Sequence, residues 1–230
     1  MAEENGKVPK WEEELWEYLS SGDGTQCPDY YNCQDRLEGS WCISDNVEVL
    51  ERLLEARRFD SDKYEFIRCG EKHGRVFELV ERLAESFLER VGAQYPPVPS
   101  AFTLLADEDT PIEIRLVPLK RYHGAIWYLN DGWVIQVNAN DSPARRRLSI
   151  YHEVFHMLAH RKTTPVFRHR GCEGGSFNEM LADYFACCIL MPRKWVKATW
   201  GQVWDLGRMT KIFCVEKPVM WLRLREMGLI

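Results

Sequence analysis

Between Glu71 and Val91 the apolar residues Val76, Phe77, Val80, Leu83, Phe87 and Val91 recur three and four positions apart. That spacing draws one stripe along an α-helix whose other positions are mostly charged, so it predicts a surface helix with a single buried face. The stretch "GAQYPPVPS" then stops it, because proline has no N–H to give and pushes the residue before it out of helical conformation. Three short runs follow, "IEIRLVPL", "GAIWYL" and "WVIQVN". Their β-branched and aromatic content predicts a small sheet, and the "NDG" between the second and third is a hairpin turn signal. The segment "DSPARRRLSIYHEVFHMLAH" reads as a helix, with Asp141 or Ser142 as N-cap and Pro143 in its first turn. A loop rich in Gly and Arg leads to a second helix, "FNEMLADYFACCILM", which Pro192 closes. The last stretch reads as two short helices about a turn near Val215 and Glu216, with Pro218 at a helix start. The expected class is α+β, in three parts: a cysteine-containing segment at 1–70, a core at 71–200 and a helix-turn-helix-like segment at 201–230.

Composition narrows the function classes. A chain of 230 residues with 45% hydrophobic content can bury a real core. No apolar run approaches the roughly 18 to 20 residues that span a bilayer. The start, "MAEENGKVPKWEEELWEYL", is acidic and lacks the basic and apolar regions of an export signal. The expectation is a cytoplasmic protein with no membrane partner. At a net charge of -5 the chain as a whole does not attract nucleic acid, so direct nucleic-acid binding is not expected, although a local basic face stays open. Eight cysteines without an export signal argue for thiols or metal ligands rather than disulfides.

The chemistry gathers in "SIYHEVFHMLAH", residues 149–160. His152 and His156 are four apart, so on a helix they share one face and can share one ion. This is the HExxH spacing. Zinc takes neutral imidazole nitrogens, a catalytic zinc wants three protein ligands and an open position, and Glu153 beside the first histidine can serve as general base. The competing account is a chance match on an amphipathic helix. The next helix argues against chance, because Glu179 and Asp183 lie one turn apart on a helix otherwise rich in Leu, Phe, Ala and Cys. Glu179 can supply the third ligand, and Asp183 can accept the free ring N–H of a ligand histidine, fixing its tautomer. His123, Tyr122 or Tyr128 could steady an oxyanion, but ordinary loop and strand roles account for them better.

With these residues in place, the sequence resembles the ImmA/IrrE family of metallopeptidases. The resemblance rests on "VIQVN", "RRRLSIYHEVFH" and "EMLADYFACCILMP", in which Glu179, Ala182, Phe185, Ala186, Leu190, Met191 and Pro192 match in register. It covers about residues 75 to 230, the closing "FCVEKPVMWLRLREMGLI" included. It implies a small sheet packed with zincin-type active-site helices, one catalytic zinc on His152, His156 and Glu179, and Glu153 as catalytic acid and base. Family members are typically cytoplasmic and cut helix-turn-helix repressors, which switches on stress-response or mobile-element genes. The implied activity is that of a zinc metalloendopeptidase with a transcriptional repressor as protein substrate. The 70-residue front departs from the usual domain, as does Asp183, where Asn is also common.

That front carries Cys27, Cys33, Cys42 and Cys69. The spacing is not the tight CxxC of common zinc fingers, yet a small segment with little apolar mass needs a staple, so a second zinc or an iron–sulfur centre stands level with free buried thiols. Cys172, Cys187, Cys188 and Cys214 read as packing residues. The alternative function is a DNA-binding or repressor-docking regulator with a structural zinc, drawn from Arg208, Lys211, Lys217, Arg223 and Arg225 in the tail. Asp205, Glu216 and Glu226 interrupt that charge.

Overall fold

Two amphipathic helices set the frame of the computed structural model, which describes residues 8–20, 74–107, 109–119, 123–162 and 177–230. Helix α1 (Lys10–Ser20) lays Leu15 and Trp16 against α2 (Gly74–Arg90). The predicted stripe of α2 is buried, and it is wider than the spacing suggests: Leu79, Ala84 and Leu88 are buried too, while Val91 is only partly so. The reason is that α2 is covered on two sides, by α1 and by the helix that carries Glu179.

A 3-10 turn at Ser100–Leu105 leads into strands β1 (Ile112–Val117), β2 (Gly124–Leu129) and β3 (Gly132–Asn138). β2 and β3 form the predicted hairpin, Leu129 opposite Gly132, with Asn130 and Asp131 both at positive φ as a two-residue type I′ turn requires. The sheet order is β1-β3-β2, and β1 runs parallel to β3. β3, in the middle, is buried along most of its length, whereas Leu116 on β1 and Trp127, Tyr128 and Leu129 on β2 are exposed.

Helix α3 (Pro143–Lys162) begins at Ser142, whose Oγ accepts from the Arg145 amide at 3.0 Å. Asp141, the other candidate cap, instead binds His123. Helix α4 (Phe177–Leu190) is buried on all sides from Met180 onward, as its nearly unbroken apolar sequence dictates. Phe87 of α2, Tyr151 and Phe155 of α3, and Phe185 of α4 meet where the three helices pack, with ring centroids 5.5 to 6.5 Å apart. Helices α5 (Arg193–Val203), α6 (Leu206–Phe213) and α7 (Lys217–Glu226) complete the chain. The class is α+β, a small mixed sheet with helices and a helical C-terminal part. Among the described residues no helix is long and apolar enough to cross a membrane.

One packing expectation needs correcting. Cys187 and Cys188 are buried, and burial pushes the Cys188 thiol up to about 12. Cys214 is exposed, because it caps α6 in the left-handed region (φ 52°) and so leaves the helix face that packs inward. Cys172 lies outside the described residues, as do Cys27, Cys33, Cys42 and Cys69.

Candidate metal centre

The side-by-side packing of α3 and α4 follows from their apolar faces, and it carries polar side chains into the seam. His152 and His156, one turn apart on α3, stand with their rings 4.8 Å apart. Their Nε2 atoms are 3.1 Å from each other. From α4, Glu179 places Oε2 at 3.1 Å from His152 Nε2 and Oε1 at 3.2 Å from His156 Nε2. One turn further, the fully buried Asp183 sets Oδ1 at 2.8 Å from His152 Nδ1.

These contacts fix protonation by elimination. A carboxylate only accepts, so His152 Nδ1 carries the proton and donates to Asp183. In a neutral ring Nε2 is then a bare acceptor, and it faces a carboxylate oxygen and a second imidazole nitrogen. Three electron-pair donors repel at this distance unless a cation sits among them. Without a metal ion, a proton supplies that positive charge. Burial opposes a charge on His152, but Asp183 and Glu179 outweigh it and hold the imidazole well above the ordinary histidine value. Burial likewise opposes charge on Glu179, and His156 with His152 overrides it, holding that carboxyl far below the usual range.

The donor set suits a small divalent ion. His152, His156 and Glu179 form a group whose ligand atoms lie within 4.8 Å of one another. Atoms about 2.0 to 2.2 Å from a tetrahedral zinc are roughly 3.3 to 3.6 Å apart. The separations here, 3.1 to 3.2 Å, fall just short of that range, so small outward side-chain shifts would seat the ion. Glu179 keeps 35% of its side chain exposed, which leaves one side of the group open to solvent.

Glu153 is buried, at 4% exposure, and its carboxylate is turned toward the start of β2. His123 does not reach the histidine pair. Its Nδ1 lies 2.7 Å from Asp141 Oδ2 and its Nε2 2.7 Å from Arg145 Nη2, so both ring nitrogens are engaged. Tyr128 is exposed, with its ring edge on Trp133, and Tyr122 lies outside the described residues. Sequence reasoning passed over Gly124, Asp141 as a partner of His123, and Arg145. The signal for Gly124 was available: a glycine opening an otherwise bulky strand marks a close approach.

Fold and site together define a class, an α+β domain in which a helix pair presents a His/His/Glu group able to hold a metal ion. Residues 107–206 match the peptidase M78 family, described as the IrrE N-terminal-like domain. The stretch from β1 to α5 is therefore similar to the IrrE N-terminal-like domain, over a narrower span than the resemblance drawn from the sequence. A comparison with curated proteins returned no match. Among solved structures, a Mycobacterium tuberculosis transcriptional regulator is similar at a TM-score of 0.45 and 15% identity, over 78% of this chain and 51% of that one. The chain thus spans about half the length of that regulator.

Proposed function

We propose that the chain is a zinc-dependent endopeptidase with a protein substrate, most specifically a helix-turn-helix transcriptional repressor, acting in the cytoplasm to release stress-response or mobile-element genes. The observation that carries the reading is the convergence of His152, His156 and Glu179 at 3.1 to 3.2 Å, with Glu153 buried one position from a ligand histidine. The peptidase family of residues 107–206 supports the chemistry.

A zinc ion held by these three residues would polarise a substrate carbonyl and lower the pKa of a water toward about 7. Glu153, one position from a ligand histidine, would accept a proton from an attacking water and pass it to the leaving amine. Asp183 keeps His152 in the tautomer that leaves Nε2 toward Glu179 and His156, free to hold a metal ion. Among the described residues β2 is an edge of the sheet, and Gly124 at its start adjoins Glu153. As an edge strand among the described residues, β2 offers an extended peptide a strand to pair with beside the base. In this reading residues 71–200 are the catalytic core, with α1 of the 1–70 segment packed on it, and 201–230 are its helical C-terminal segment.

Two measurements test the reading. Elemental analysis of purified protein should find about one zinc per chain. Glu153→Gln should keep that zinc while cleavage of a repressor substrate falls by about 10²- to 10⁴-fold, the usual contribution of a general base. A Glu153→Gln chain that cleaves at the parent rate would leave Glu153 without its role.

A further inference from the structure

Strand β2 opens on a glycine that its backbone does not require, since Gly124 is not in the left-handed region. What the missing side chain provides is room. A Cβ at Gly124 would stand 3.0 Å from Glu153 Oε1, 3.4 Å from Glu153 Cγ and 3.5 Å from the Gln136 carbonyl oxygen. The Glu153 carboxylate therefore occupies the space that any other residue would take.

The strand is also held where it is. The His123 carbonyl accepts from the Asn138 amide at 2.9 Å, which pins the start of β2 to the end of β3. The His123 ring donates from Nδ1 to Asp141 and accepts at Nε2 from Arg145, at 2.7 Å each. Asp141 precedes α3 and the buried Arg145 lies in its first turn, two turns before Glu153 on the same helix. Strand and helix are thus tied together within one residue of the close approach, and the strand cannot swing away to admit a side chain.

We propose that Gly124, held against α3 by the His123–Asp141–Arg145 clamp, is a positioning residue: the gap it leaves sets where the Glu153 carboxylate sits. This rests on the reading of Glu153 as the base beside a metal. The atom a Cβ would meet first is the end of a flexible side chain, so Gly124→Ala is accommodated by turning the carboxylate aside. The fold tolerates the change and the site does not.

The test uses full-length, zinc-loaded protein and acetohydroxamic acid as probe, so it needs no substrate. A hydroxamic acid chelates zinc through two oxygens and gives its O–H proton to a carboxylate beside the metal, which makes its affinity a readout of Glu153 placement. Gly124→Ala should keep about one zinc per chain and melt with the wild type, yet bind the probe at least about tenfold more weakly, because displacements near 1 Å at such sites cost up to about 100-fold. Glu153→Asp withdraws the carboxylate by one methylene, so adding Gly124→Ala to it should weaken binding no further. A Gly124→Ala protein that binds like wild type, singles that simply add, or a Gly124→Ala chain that melts far below wild type each overturn the proposal. Wild-type protein that takes up no zinc overturns the proposed function itself, and this inference with it.

Discussion

Asp183 is the one carboxylate of the site with no exposed surface. A buried acid survives only where its charge is matched, and the matching group is His152 Nδ1–H at 2.8 Å. Asp183→Asn keeps the shape and removes the charge that orients and enriches the imidazole. Zinc affinity, measured by competition with a chromophoric chelator, should fall about 10- to 100-fold. Unchanged affinity would mean that the carboxylate is only a packing group. The pairing was legible in the sequence because helix periodicity is local: 152 and 156 must share a face, as must 179 and 183. Gly124 and Arg145 were not legible in the same way. Gly124 meets Glu153 across 28 intervening positions of strand, turn and helix, and Arg145 reads as one of three arginines until its Nη2 is found on His123.

The elements are joined chiefly through α3. Arg147 sends Nη1 to the carbonyls of Phe213 and Cys214, at 3.0 and 2.7 Å, and Nη2 to the Val98 carbonyl. It thereby caps the C-terminal end of α6, where the helix leaves acceptors unsatisfied and favours positive charge. At the start of α3, the Ser142 hydroxyl donates to Glu216 at 2.7 Å while capping its own helix. The turn between α6 and α7 is thus fastened to the helix that carries His152 and His156. Arg147→Ala strips a half-buried donor from three acceptors and should destabilise the protein by about 2 to 3 kcal/mol in urea unfolding. A loss below about 0.5 kcal/mol would show that water replaces the guanidinium at no cost. These attachments explain what the pattern of elements did and did not reveal. The hairpin turn at Asn130 and Asp131 is local chemistry and was readable. The parallel pairing of β1 with β3 was not, since the two strands are separated in sequence by β2 and no turn between them fixes their register.

For the whole molecule, the question is whether the C-terminal helices stand apart as a reader of DNA. Basic residues there suggested a phosphate-binding face, but Arg223 is nearly inaccessible and is committed elsewhere. Its guanidinium bonds Glu81 of α2 at 2.6 Å, Glu226 at 2.5 Å and the Met191 carbonyl at 3.1 Å. Arg193 at the start of α5 bonds both acids as well, at 2.9 and 2.7 Å. Val219, Met220, Leu222 and Leu224 are buried around it, so α7 is a core helix rather than an exposed recognition helix. The cluster fastens four parts of the chain, α2, the end of α4, α5 and α7, through alternating charge. It also fixes a pH dependence. Burial would raise the Glu81 carboxyl, but Arg223 and Arg193 outweigh it and hold it below its ordinary value. A carboxyl depressed in the folded state adds stability above its unfolded pKa of about 4.3, and that stability is lost as pH falls through the folded value. Glu81→Gln removes one partner and leaves two guanidiniums facing one acid. At neutral pH it should cost about 2 kcal/mol, less than a fully buried pair because Arg193 is one-third exposed. Thermal melts of the parent and Glu81→Gln at matched ionic strength should be well separated at pH 7 and converge as pH falls through the depressed folded value, where the parent protonates Glu81 and loses what the variant already lacks. Other acids titrate over the same range, so the difference between the two proteins isolates Glu81. A gap that stays constant down to the acid limit would place the cost of the substitution in packing, and the ion cluster would then not be what binds the C-terminal helices to the core.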